Sequence, residues 1–334
     1  MKSNFEFLNR YWPALAQIGA AAESYVYSDA NACLYKLGMF GERLILEIFA
    51  FEHIKEPTID NTHANRIRLL KREGLIPKKI DDILYALRKT RNDAVHAGAD
   101  SVEDAKTLLS MTYNLAVWFM EVYGDWGYIA PAFVMPENVV QPDYESIIKE
   151  QEEKIVALSK QVEAVSTAAS TKTSKERAEK GETASESMEL SEAETRYLID
   201  EQLRKFGWEA DTNTLRYSKG TRPQKGRNLA IAEWPTDSAV GKNGYADYAL
   251  FVGVKLVGIV EAKKAAIDIP SVIDHQCKEY AKGIKDEHQE YTINQWGAYK
   301  VPFVFATNGR KYLKQIETKS GIWYLDLRSG ANAP

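Results

Sequence analysis

The sequence predicts a multidomain chain: an all-α N-terminal domain over residues 1–140, a helical, coiled-coil-like and flexible linker over 141–189, and an α/β domain with a mixed central sheet over 190–330. Three observations predict it. Apolar residues recur at helical spacing through the first third of the chain. The stretch Ser166 to Met188 is rich in Ser, Thr, Ala, Lys and Glu and holds no aromatic residue. Beyond it, two nearly continuous apolar runs flank a short turn at Gly253, the pattern of strands covered on both faces. A length of 334 residues accommodates two ordinary cores.

In the N-terminal domain the helical spacing covers Phe5 to Ile18, Asp29 to Phe51, Thr62 to Glu73, Pro77 to Arg88 and Val102 to Tyr123. A kink is expected at Pro13 and breaks at Pro57, Gly74 and Gly98. Pro131, Pro136 and Pro142 mark the end of the domain. In the linker, Ile148, Ile155 and Val162 stand at seven-residue steps with Leu158 and Val165 between them, a short coiled-coil-like stripe. About three heptads are too few to establish dimerisation.

The α/β domain opens with Leu190-Ser-Glu-Ala-Glu-Thr-Arg-Tyr-Leu-Ile199. Ser191 reads as a helix N-cap, with Glu192 and Glu194 in an acidic first turn. Leu198, Ile199, Leu203 and Phe206 form the apolar stripe, and Gly207 stops the helix. The simplest role of both glutamates is to complement the helix dipole. Next come the strands Tyr245-Ala-Asp-Tyr-Ala-Leu-Phe-Val and Leu256-Val-Gly-Ile-Val-Glu-Ala-Lys263. Residues i and i+2 of a strand share a face, so Glu261 and Lys263 project together, and Asp247 on the partner strand reaches the same point. Two carboxylates repel unless a positive group lies between them. A hard cation such as Mg2+, completed by substrate phosphate, is one answer, with Lys263 orienting or deprotonating water or steadying the phosphate. A buried salt bridge from Lys263 to Asp247 or Glu261 is the other. Ile273 to Tyr280 reads as a helix that sets Gln276 and Tyr280 one turn apart, and the strand Val301 to Ala306 follows, ending in Thr307-Asn-Gly-Arg310.

Over about 190 to 330, these residues in this order resemble the N-terminal nuclease domain of type I restriction enzyme R subunits, a branch of the PD-(D/E)xK endonucleases. The resemblance implies Asp247 and Glu261 as metal ligands, Lys263 as the catalytic lysine, Glu192 as the helix acid with Glu194 its rival, and Gln276 with Tyr280 as the Gln-xxx-Tyr motif. Ala246 replaces the family's proline before the aspartate. It further implies Mg2+ as cofactor, double-stranded DNA as substrate, methyltransferase (M) and specificity (S) subunits as partners, and an ATP-dependent translocase. The sequence holds no Gly-x-x-x-x-Gly-Lys-[Ser/Thr] loop, since Gly241-Lys-Asn-Gly244 and Gly220-Thr-Arg-Pro223 lack its spacing and hydroxyl. An N-terminal fragment of a longer polypeptide is therefore expected; a stand-alone defence nuclease is the alternative.

The net charge of -4 averages an uneven distribution. Lys plus Arg against Asp plus Glu are 15 and 18 over 1–140, 7 and 11 over 141–190, and 21 and 18 over 191–334. Only the last segment is positive. Within it Arg216, Lys219, Arg222, Lys225 and Arg227 fall in a stretch without acids, around Tyr217, and make a candidate phosphate-contacting loop or simply an exposed basic one. The two cysteines, Cys33 and Cys277, lie in different domains and support neither a disulfide framework nor a zinc site. There is no run of about twenty apolar residues and no signal core, so no membrane partner is expected and the cytoplasm is the default location.

In the helical domain, Arg88-Lys-Thr-Arg91-Asn-Asp-Ala-Val-His96-Ala-Gly98 resembles the Arg-x4-His signature of the HEPN superfamily. The resemblance implies Arg91 and His96, supported by Asn92, as a metal-independent ribonuclease site, although polar residues also simply close helix ends. Three readings follow: a Mg2+-dependent DNA endonuclease, a HEPN-type ribonuclease or toxin, and a non-catalytic assembly or DNA-binding module.

Overall fold

The computed structural model describes residues 3–55, 60–138, 172–237, 244–263, 269–307 and 322–329, without the side chains of 96, 97 and 270. The coiled-coil-like stripe of 144–165 lies outside them. The chain divides into two compact units, Met1–Met188 and Glu189–Pro334.

The first unit is helical. A 3-10 turn, Glu6–Arg10, precedes α1 (Pro13–Tyr25), so Pro13 starts a helix instead of kinking one, in the first-turn position where its missing N–H costs nothing. Helix α2 (Ala30–Phe51) is capped by Asp29, whose side chain accepts from Ala32 N at 2.9 Å. Helices α3 (His63–Arg72), α4 (Lys78–Ala97) and α5 (Val102–Phe119) follow. Helix α4 continues past Arg88 because Ala94 keeps its apolar stripe buried, and it stops where Gly98 takes a left-handed φ of 65°. Leu15, Leu37, Phe40, Leu84, Leu108 and Phe119 are buried in this unit.

Helix α6 (Ser174–Ser187) falls in the stretch read as linker and belongs to the helical unit. A Thr173/Glu176 capping box starts it. Arg177 forks onto Glu52 with Nε–Oε1 at 2.6 Å and Nη2–Oε2 at 2.7 Å, and the Trp118 indole N–H donates to Gly181 O at 3.0 Å. A few directed bonds thus dock a helix that has little apolar surface.

The second unit is a mixed six-stranded sheet in the order β1 (Glu209–Ala210), β2 (Asn228–Pro235), β3 (Tyr245–Val252), β4 (Lys255–Ala262), β5 (Phe303–Thr307) and β6 (Ile322–Asp326). Strands β1–β2 and β4–β5 pair parallel, and the other neighbours pair antiparallel. A parallel neighbour needs a crossover. For β4–β5 it includes α8, built from Ile269–Ser271, a π-type turn at Val272–Cys277, and Lys278–Lys282. Helix α8 packs on one face against Ile231, Trp234, Ile259 and Val304. Helix α7 (Glu192–Lys205) covers the other, where Ile199 meets Ala230, Tyr248 and Val260. The sheet is thereby enclosed between helical layers. Strand β2, the apolar run Leu229-Ala-Ile-Ala232, is a central strand that the sequence reading did not single out. No helix among the described residues is long and apolar enough to cross a membrane.

Candidate active site

Antiparallel pairing of β3 with β4, in the register Tyr248↔Val260, sets Asp247 near the start of one strand beside Glu261 near the end of the other. Asp247 Oδ2 accepts from the Ala262 backbone N–H at 2.8 Å. The Lys263 ammonium donates to Glu261 Oε1, and the Lys263 backbone N–H donates to Thr307 O at 2.8 Å, tying the lysine to the end of β5. The i, i+2 geometry therefore holds: Glu261 and Lys263 lie on the same side.

Helix α8 completes this side of the site. Gln276 Nε2 donates to Glu261 Oε1 at 2.7 Å and lies 2.7 Å from the Tyr280 hydroxyl, so the pair one helical turn apart reaches the carboxylate through its amide. Tyr280 is buried, and burial raises its phenol pKa, so it stays protonated. Glu261 is only 3 % exposed, and its Oε2 has no hydrogen-bond partner. Burial, and then the neighbouring Asp247 charge, push the Glu261 carboxyl up to about 7 against the pull of Lys263. Burial also raises Asp247, although Ala262 N–H, Arg196 and Lys263 pull the other way.

The helix acids separate. Glu194 is buried and caps its own helix, accepting from Ser191 N at 2.7 Å in a capping box. Glu192 turns to the site through Arg196, whose Nη2 lies 3.1 Å from Glu192 Oε1 and 3.0 Å from Asp247 Oδ1. Arg196 Nη1 donates at 3.1 Å to Glu233 Oε1, which Arg216 also approaches at 3.3 Å. Arg196 and Glu233 are site residues that sequence reasoning missed. The available signals were a basic residue one turn after Glu192 and a lone acid ending an apolar strand.

The five basic residues of the 216–227 loop do not act as one set. Arg216 is paired with Glu233. Arg222 lies 3.6 Å from the centre of the Tyr217 ring and donates to the carbonyls of Tyr217 and Thr221, and Arg227 binds Glu209. Lys219 and Lys225 are exposed.

In the helical unit, Arg91 is salt-bridged to Glu42, and its guanidinium sits 5.2 Å from the centre of the Tyr35 ring. A Cβ at Gly38 would come within 2.4 Å of Arg91 Cβ, so glycine is what lets this side chain lie against α2. Asn92 is exposed. His96 stands on α4, its side chain outside the described residues. Cys33 and Cys277 are both buried and free.

Among the described residues no group of three or more His, Cys, Asp or Glu is placed to hold a metal ion by itself. The buried Glu261, with its unsatisfied oxygen, and the half-buried Asp247, beside a lysine, the half-buried Gln276 and the buried Tyr280, can instead hold a hydrated ion that substrate oxygens complete.

Comparison with known proteins finds matches in both parts of the chain. Residues 209–334 match the model of the type I restriction enzyme EcoKI endonuclease subunit second domain, and residues 20–164 match a domain of unknown function, DUF4145. No solved structure matches the chain. The type I restriction enzyme EcoKI endonuclease subunit of Escherichia coli (strain K12) is 32 % identical over 405 residues, covering 99 % of this chain and 34 % of that protein. The chain spans about a third of the length of this relative, and along nearly all of its own length it is homologous to a type I restriction endonuclease subunit.

Proposed function

We propose that the chain is the nuclease region of a type I restriction R subunit and that its sheet unit is a PD-(D/E)xK domain that hydrolyses DNA phosphodiester bonds with Mg2+. The observation that carries this reading is Glu261 Oε2, a buried carboxylate oxygen without a partner beside a second carboxylate, Asp247. A buried acceptor left unsatisfied is costly, and an oxygen-seeking cation satisfies it. The donors are all oxygen and hard, which suits Mg2+ or Mn2+.

Asp247 and Glu261 would hold the ion; when bound, it supplies charge neutralisation at the scissile phosphate and an acidified water. The chain's own residues do the rest. Gln276 fixes Glu261 Oε1 and leaves Oε2, which has no other partner, for the ion. The Lys263 ammonium, anchored by its backbone at Thr307, is at hand to orient the attacking water or steady the phosphate. Lys219 and Lys225 are the loop residues available to the DNA backbone, and the contact they make carries no sequence information. Recognition of the DNA site then falls to the methyltransferase and specificity subunits.

The helical unit we read as an assembly or positioning module, because the Arg91 guanidinium is occupied by Glu42 and Tyr35. Plasmid nicking in Mn2+ tests the nuclease reading. Lys263→Ala should lower the nicking rate by about a hundredfold or more, the usual weight of a positioned acid-base group. Cleavage of RNA that persists in chelator and disappears in Arg91→Ala would instead favour the ribonuclease reading.

A further inference from the structure

Strands β2 and β3 share an irregularity at the site. Along β2, Leu229 and Ile231 face one core and Ala230 and Ala232 the other, yet Trp234 lies with Leu229 and Ile231. Strict alternation would have put Trp234 with Ala232. Along β3, Tyr248 and Leu250 face one core and Ala249 and Phe251 the other, yet Ala246 lies with Ala249. The breaks fall at Glu233 and Asp247, which face one another between the pairs Ala232↔Tyr248 and Trp234↔Ala246. Glu233 also has a left-handed φ of 52°. Among the described residues the other side-chain-bearing ones with positive φ, His53 and Asp60, lie outside any helix or strand. Strain of this kind inside a strand persists only where the surroundings enforce it, and it collects at functional sites.

The outcome is a pair of facing carboxylates joined by one guanidinium, with Arg196 Nη1 on Glu233 and Nη2 shared between Asp247 and Glu192. With Nη2 3.0 Å from Asp247 Oδ1, a guanidinium charge stands against the oxygen that a divalent ion would have to share. An ion held by Asp247 and Glu261 would in turn repel the guanidinium at close range. Arg196 therefore needs another carboxylate to rest on. Glu192 is 53 % exposed on its side chain, so its hold is screened by water, whereas Glu233 is 32 % exposed and already holds Nη1.

We propose that Arg196 is a built-in cation that occupies Asp247 until a divalent ion displaces it, and that Glu233 is the carboxylate that receives the displaced guanidinium. Both are positioning residues that set the ion affinity of the centre; the inference rests on the metal reading above. Glu233 then acts through Arg196, and the two residues have opposite effects on the same affinity.

Mn2+ binding to the full chain, followed by the paramagnetic resonance signal of the free ion at fixed pH and salt, tests this in the wild type, Arg196→Gln, Glu233→Gln and the double variant. The expected result is affinity about fivefold tighter in Arg196→Gln, about fivefold weaker in Glu233→Gln, and within about twofold of Arg196→Gln in the double variant, where about fivefold is the upper effect of one partly screened ion pair. Thermal unfolding of each protein checks folding; if Glu233→Gln does not fold, the sign in Arg196→Gln decides. Weaker or unchanged binding in Arg196→Gln overturns the latch. So does equal weakening by Glu233→Gln with and without Arg196, which is the signature of a diffuse charge effect. If the wild type binds no Mn2+ at all, the metal centre itself fails; if it binds and the signs are wrong, only the latch fails.

Discussion

At the scale of single residues, the sheet unit keeps several carboxyls in surroundings that favour the protonated form, and they do not share one purpose. Asp200 on α7 lies beneath the site, bonded by the Thr212 backbone N–H at 2.7 Å and hydroxyl at 3.0 Å, and Thr212 Oγ1 is in turn 2.7 Å from the Tyr248 hydroxyl. Burial pushes the Asp200 carboxyl up to about 6 from an ordinary 3.8, in spite of those bonds. Between these two values the folded chain holds a proton that the unfolded chain has lost. The contribution of Asp200 to stability is thus fully present below the ordinary value and is lost as pH rises through about 6. Asp200→Asn should flatten the pH dependence of stability across that window, measured by urea unfolding at a series of pH values. An unchanged slope would show that another group titrates there.

At the scale of elements, α6 is the helix most exposed to test. Its fork from Arg177 to Glu52 is deeply buried, the two side chains being 6 % and 0 % exposed. Removing one partner of such a pair leaves an uncompensated buried charge. Arg177→Ala should therefore destabilise the helical unit by about 3 kcal/mol or more. Loss of less than about 1 kcal/mol, the range of exposed pairs, would mean that α6 is held by other contacts.

The same scale shows what the sequence made legible. Helices α1 to α5, strands β3 and β4, and the glutamine-tyrosine turn of α8 follow from apolar periodicity and capping, both local signals. Strand β2 did not stand out, because its apolar run is preceded by the basic loop and ends in Glu233 and Trp234. Helix α6 reads as linker because it is held by Arg177 and by Trp118 on another helix, contacts that leave no apolar stripe in its own sequence. Asp247, Glu261 and Lys263 were legible because charged residues on apolar strands contradict their surroundings. Arg196 and Glu233 meet only through the fold, across separations of 37 and 51 residues between Arg196 and its two strand partners.

At the scale of the whole molecule, two compact units with separate cores accompany homology to one subunit of a restriction enzyme. The chemistry proposed here lies wholly in the second unit, where a central sheet brings the ends of β2 and β4 and the start of β3 together between α7 and α8. Its central claim is that Asp247 and Glu261 form a divalent-metal centre. Calorimetric titration of Mg2+ into the full chain, with Asp247→Ala and Glu261→Ala alongside, tests that claim most directly, because it does not require the chain to turn over DNA by itself. Binding by the wild type that is lost in both variants is the predicted result; absence of binding, or binding that survives both substitutions, would contradict it.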